Sequence, residues 1–291
     1  MSLFTTAAAI ALWIALLAML EAKWPVVPGI PLRNYVVNGL CMLVLAVVTV
    51  PLSIATGAAA VWAAAAMPVQ FHAFKLEEVG IGSSWLDPIL RIALLTLLPL
   101  ALSDLWMSAT HRLEHRVAFM WQFHKVHHSE HQLNVMSTFR DHPLQHLWRS
   151  FVPMFATSLI LHLNPGNGIQ TASYSVVFLY FLSTLAHSNL RLELPWLDRI
   201  LVTPQVHRIH HSVSPEHIDR NYVDVFPIFD MMFGSYVAPR RGEFPDTGLV
   251  SQERIETFWA TQASPFLGFW KRRSAARPAA HAGSGDQDEN H

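Results

Sequence analysis

A single cysteine, Cys41, stands in a chain of 291 residues. That excludes an intrachain disulfide, a cysteine-based zinc site and an iron–sulfur cluster ligated by this chain. Charge is scarce too: Asp, Glu, Lys and Arg make up 14% of the residues, against about 25% in soluble domains. The formal net charge of −1 argues against nucleic acid as a partner. No Gly-x-Gly-x-x-Gly occurs, so no dinucleotide site is written in that form. What the chain has in quantity is apolar surface, with 52% hydrophobic residues and a mean hydropathy of +0.27. This balance points to a membrane protein.

Crossing a bilayer as a helix takes about 20 apolar residues. Phe4 to Leu20 is a first span, ending in Glu21-Ala22-Lys23-Trp24-Pro25, an interfacial end rather than a cleavage site. Asn34 to Phe71 holds no Asp, Glu, Lys or Arg and forms a second, with Pro51 and Gly57 as kink sites. Ile89 to Met107 is a third and runs straight into His111. Phe151 to Ala186 is again uncharged, but Asn164-Pro165-Gly166-Asn167-Gly168 divides it into a helical hairpin. The expected fold is all-α: a polytopic membrane bundle of four to five segments with a cytoplasmic helical cap.

Basic residues set the orientation. With the N-terminus outside, Lys23, Arg33, Arg112, Arg116, Lys125, Arg140, Arg149 and every basic residue from Arg191 onward lie inside, and only Lys75 and Arg91 outside. The expected organisation is transmembrane segments over 1–102, a catalytic region over 103–237, a membrane-surface segment over 238–273 and a disordered tail over 274–291.

Histidine is the chemically informative residue. The chain has 17, and nine gather as His111-x3-His115, His124-x2-His127-His128, His207-x2-His210-His211 and a separate His187. Helical spacings of three and four put side chains on one face, about 5–6 Å apart at Cβ. A neutral imidazole is a good ligand for iron, copper or zinc. The pattern predicts a polynuclear metal site held by His111, His115, His124, His127, His128, His187, His207, His210 and His211. Asp104, two turns before His111, is expected to accept the free ring N–H of a ligating histidine. His131, His142 and His146 stay open, with Pro143 opposing a helix at His142. His72 and His162 fall away from the clusters, and His217, His281 and His291 read as surface or tail residues.

These motifs resemble the fatty acid hydroxylase/sterol desaturase superfamily of membrane-bound di-iron oxygenases. The likeness covers roughly Ser103 to Val237. It rests on His111-Arg112-x2-His115, Trp121-x2-His124-Lys125-Val126-His127-His128-Ser129, Asn134 with Ser137-Thr138 and Arg140, and His187-Ser188-Asn189. It continues in Thr203-Pro204-x2-His207-Arg208-x-His210-His211-Ser212, Asn221-Tyr222 and Phe229-Asp230-x2-Phe233-Gly234. The family usually has Trp-Asp where this chain has Phe229-Asp230. The middle is similar to bacterial sterol-desaturase-like proteins and to the alkylglycerol mono-oxygenase branch.

The resemblance implies two iron ions, O2 as oxidant, and hydroxylation or desaturation of a fatty acyl, sterol or related lipid. It also implies that Asn134, Arg208, Asn221 and Asp230 support the ligands. Soluble di-iron bundles use Glu-x-x-His pairs, and none occurs here. With no redox domain in view, electrons are expected from a separate ferredoxin, b-type cytochrome or reductase, docking near Arg191, Arg199, Arg208 and Arg220. Two rival readings are a non-enzymatic membrane metal-binding or transport protein and a zinc-dependent lipid hydrolase. Transport calls for ionisable groups deep in the spans, and a hydrolytic zinc takes three ligands and an open position.

Overall fold

The computed structural model describes residues 3–67, 87–161 and 178–275. The expected hairpin turn at 164–168, His72, His162 and most of the tail lie outside the described residues. Within them the protein is helical, with two isolated β-bridges and no strand.

Helix α1 (Leu3–Lys23) runs through the first predicted span. Its Leu17 packs with Val135 and Leu190. Trp13 donates its Nε1–H to Thr184 Oγ1 and Phe181 O, tying α1 to the helical segment 178–186 (α7). Beyond α1 the chain pairs with the segment following His187: Val26 N–H donates to Asn189 O, Arg191 N–H to Trp24 O, and Asn189 N–H to Glu21 Oε1. The N-terminal helix therefore braces the stretch that presents His187.

Helices α2 (Leu32–Val44) and α3 (Val50–Ala65) join through a π-helical turn at Leu45–Thr49. Pro51 has no N–H to give the carbonyl four residues back, so the ladder reorganises just ahead of it rather than breaking. The kink expected at Pro51 takes that form. The run Leu32–Ala65 is 34 residues long with a mean hydropathy of 2.2 over its most apolar window, and only 17% of that window is buried in the protein. Val36, Leu40, Leu43, Val47, Val48 and Ile54 face outward, the pattern of a helix whose solvent is hydrocarbon. Among the described residues it is the one helix long and apolar enough to cross a membrane on that test.

Helix α4 (Asp87–Arg116) is 30 residues long, about 45 Å at 1.5 Å per residue. It carries the third predicted span directly into His111 and His115. A break at Val117 starts α5 (Ala118–His128), which holds the second cluster. Helix α6 (Gln145–Ile160) packs along α3 and α4. Helix α8 (Pro204–His210) holds the third cluster, α9 (Ile228–Met232) rests on α4, and α10 (Phe258–Ala275) packs on α5. There Phe269 stacks on Phe119, and Gly268 abuts the buried Gln122, where any Cβ would collide with its amide. Arg140 joins the two halves of the chain. It donates to Ser129 Oγ, Asn38 Oδ1 and Ile255 O, beside a Glu130 that accepts from Asn34 and Asn38.

Candidate metal centre

The nine predicted imidazoles converge, and they do so as two sets. His111, His115, His124, His128 and His210 form one; His127, His187, His207 and His211 form the other. Within each set the ligand atoms all lie within 4.8 Å of one another. Helical geometry explains the sorting. The i, i+4 pairs His111/His115 and His124/His128 face one set, while His127, one step round α5, turns to the other. On α8 the pair His207/His211 serves the second set and His210 the first. The sets adjoin: the rings of His128 and His211 stack with centroids 4.4 Å apart.

Thr203 caps α8 in an extended conformation, accepting from Val206 N–H at 3.3 Å and donating to Asp198 Oδ1 at 2.6 Å, with Pro204 at the first helical position. Thr203→Ala should lower stability by about 1 kcal/mol, read as an earlier thermal transition in detergent. A melting curve equal to wild type would mean that the cap does not hold α8.

Bond directions test whether the sets fit ions. His124 Nε2 lies 2.9 Å from His111 Nε2, 3.2 Å from His115 Nε2 and 3.0 Å from His128 Nε2. His187 Nε2 lies 3.0 Å from His127 Nε2 and 2.9 Å from His207 Nε2, which lies 3.1 Å from His211 Nε2. One ring nitrogen has either one proton or one lone pair, so such a gathering cannot satisfy itself with hydrogen bonds. Nitrogens about 2.1 Å from one ion, at right angles, would sit about 3.0 Å apart. The sets fit a metal ion each.

Six of the nine opposite ring nitrogens face acceptors, while Nδ1 of His207 and of His211 has no hydrogen-bond partner. His111 Nδ1–H donates to Tyr222 O (2.7 Å), His187 Nδ1–H to Ser183 O (2.7 Å) and His210 Nδ1–H to Arg220 O (2.9 Å). With its amide oxygen turned to the site, Gln145 accepts from His124 Nδ1 at 3.1 Å. His115 Nδ1 faces Asp219 Oδ1 at 3.3 Å, and His127 Nδ1 faces Asp141 Oδ1 at 3.2 Å. A proton kept on Nδ1 leaves the Nε2 lone pair for the centre. Burial first, and neighbouring imidazoles second, hold His124, His128 and His211 well below the ordinary histidine pKa, and push His187 down to about 3. Neutral imidazoles are the ligating form.

The supporting residues expected from sequence sit elsewhere in the network. Asp104 touches no ligand: Oδ1 accepts from the backbone N–H of Asp224 and Val225, and Oδ2 from that of Phe226. It anchors the loop next to Tyr222, because backbone amides out-compete a distant ring for a buried carboxylate. Asp230 binds Arg112 (2.9 Å) and the N–H of Val223, and Arg112 lies over the Tyr222 ring. Asn221, at φ 53°, ties that loop to Val206 O and Val237 O. Asn134 closes a local turn with Met136 and Ser137. Arg208 is buried and donates to Pro245 O, so it does not belong to an exposed docking face.

His142 packs between Phe123 and Phe266, and His146 lies 3.3 Å from Asp141; neither joins a set. The His131 ring fills the space that a Cβ on Gly248 would need, and His217 is buried against Ser212 rather than on the surface. Sequence reasoning missed Glu114, Asp141, Gln145 and Arg149. The one local signal was Glu114 inside His111-Arg112-Leu113-Glu114-His115.

Comparison with known proteins agrees with this geometry. Residues 96–235 match the fatty acid hydroxylase family. The chain is 29% identical over 178 residues to the ornithine lipid hydroxylase OlsE of Rhizobium tropici, covering 60% of this chain and 51% of that protein. It is 33% identical over 128 residues to the human alkylglycerol monooxygenase, covering 44% and 27%. With a delta(7)-sterol 5(6)-desaturase of Gibberella zeae the identity is 27% over 160 residues, covering 54% and 44%. The chain thus spans about half the length of the first relative and less of the others. No solved structure matches it. Residues 96–235, which carry all nine converging histidines, are thus a region of the fatty acid hydroxylase family.

Proposed function

We propose that the protein is a membrane-bound di-iron oxygenase that uses O2 and electrons from a separate donor to hydroxylate or desaturate a lipid. The observation that carries this reading is the pair of adjoining imidazole sets with their Nε2 atoms turned inward. The relatives' names, a lipid hydroxylase, an alkylglycerol monooxygenase and a sterol desaturase, supply the substrate class.

His111, His115, His124, His128 and His210 hold one ion, and His127, His187, His207 and His211 the other. A pair of irons bound there would supply O2 activation and electron storage for attack on an unactivated C–H bond. Hydroxylation balances as substrate C–H, O2, two electrons and two protons giving C–OH and water. The chain's own part is to hold the ions and to orient six of the imidazoles through their Nδ1 neighbours. The buried Phe123, Val126, Ile209 and Tyr222 beside the ligands restrict water.

The membrane arrangement supports the same reading. The apolar run Leu32–Ala65 and the apolar α4 segment that leads into His111 favour lipid as the neighbour of the centre, and the distribution of basic residues favours the cytoplasmic face for it. Helix α10 exposes Trp259, Phe266, Leu267 and Trp270 ahead of Lys271-Arg272-Arg273, as a surface-lying helix at anionic headgroups should. Arg191, Arg199 and Arg220 remain for an acidic donor to meet.

The test joins metal content to lipid mass spectrometry. Full-length protein expressed with iron should hold two irons per chain, and its host's lipids should gain one oxygen or lose two hydrogens. One zinc per chain and released headgroups or acyl chains would establish a hydrolase instead. Bound metal with unchanged lipids would favour transport or storage.

A further inference from the structure

Helix α6 presents Gln145, Trp148 and Arg149 at i, i+3 and i+4, all directed at the floor of the metal centre. Trp148 Nε1–H donates to Glu114 Oε1 at 2.7 Å. Arg149 grips the same carboxylate through Nε and Nη2, at 2.9 and 2.6 Å. Glu114 is fully buried, and its Oε2 lies 3.6 Å from His124 Nδ1, in the five-histidine set. Arg149 Nη1 also lies 4.0 Å from Asp141 Oδ2, whose Oδ1 is 3.2 Å from His127 Nδ1, in the four-histidine set. Asp141 Oδ1 and His127 Nδ1 are otherwise unpartnered, so their close approach is an ion-pair contact that each atom makes with nothing else. One guanidinium thus joins two buried carboxylates, each set behind a ligand of a different ion.

We propose that Arg149 is a positioning residue shared by both metal sites, holding Glu114 behind His124 and Asp141 behind His127 so that the two sites are braced as one unit. This rests on the reading that each set holds an ion. Two carboxylates buried around one guanidinium would be costly without that counter-charge. Among the described residues, Arg149 is the cation other than histidine that meets both. Burial alone would weaken its charge, but Glu114 and Asp141 more than offset that and keep it protonated. A carboxylate behind a ligating imidazole fixes ring orientation and raises its basicity. Trp148 and the Gln145 amide oxygen close the floor on the Glu114 side, leaving Asp141 to depend on Arg149 and His146.

The experiment uses full-length protein in nanodiscs, loaded with Co(II), with ion release to a chelator followed by absorbance. Wild type should release two ions in two phases, and the single-ligand variants His210→Ala and His127→Ala assign each phase to its set. Glu114→Gln should speed release from the five-histidine set by about 10–100-fold and Asp141→Asn from the four-histidine set by a similar factor. Each should leave the other phase near wild type. Arg149→Met should speed both phases and shift both cobalt spectra, while Arg149→Lys should recover part of each. Equal acceleration of both phases by either carboxylate variant overturns the proposal. So does an Arg149→Met phase that stays at the wild-type rate. Should Arg149→Met not insert, Arg149→Lys is read by the same criterion, with both phases faster than wild type by a smaller factor. Wild type holding two ions without oxidising lipid would sink the oxygenase reading and leave the brace standing. Wild type holding fewer than two would sink both.

Discussion

His127→Ala and His210→Ala should each abolish lipid oxidation while the protein still inserts in the membrane. The two residues belong to different sets, so each variant should strip one ligand from one proposed site and leave the other complete. His127 is one of four imidazoles, and its loss leaves three; His210 is one of five, and its loss leaves four. If two ions must share the electrons that O2 cleavage demands, a chain with one intact set has no partial activity to show. Metal content should fall toward one ion per chain in His127→Ala and less in His210→Ala. Folding should survive, because His210 gives up one hydrogen bond, to Arg220 O, and His127 gives up its approach to Asp141. His142→Ala serves as the control: that ring packs on Phe123 and Phe266 outside both sets and should leave product formation within a few-fold of wild type. Lipid mass spectrometry with metal analysis of the same preparations decides it. Full activity in both ligand variants would end the assignment.

The convergence of the nine histidines was legible in the chain because its information is local. The i, i+4 rule acts within one helix, and the same rule that grouped His124 with His128 turned His127 away from them. Residues acting across elements were not legible. Arg149 reaches Glu114 only because α6 returns against α4, a packing set by long-range contacts that no spacing encodes. Asp104 shows the reverse error. Its place two turns before His111 suggested a ring partner, but the loop 224–226 arrives with three unpaired amides and takes the carboxylate first. The apolar run through α2 and α3 was plain from composition. The π-helical turn before Pro51 was not, since proline announces a disturbance without saying how the backbone absorbs it.

That role for Asp104 makes its removal the most damaging single change expected outside the ligands. Asp104→Ala leaves the N–H groups of Asp224, Val225 and Phe226 without acceptors, at about 1–3 kcal/mol for each that stays buried. The sum is a large share of the roughly 5–15 kcal/mol that holds a typical fold together. Asp104→Asn should fall between alanine and wild type. Its one oxygen can still accept from Asp224 and Val225, but its NH2 would then confront the Phe226 N–H donor to donor. The consequence reaches the metal because the freed segment adjoins Tyr222, whose carbonyl accepts from His111 Nδ1. The five-histidine set should therefore lose its ion more readily than the four-histidine set, whose His187 and His207 hang from α7 and α8. Thermal unfolding in detergent should rank wild type above Asp104→Asn above Asp104→Ala, with ion retention in the same order. An asparagine variant as stable as wild type would show that the three amides find other acceptors, and that Asp104 does not anchor the loop behind His111.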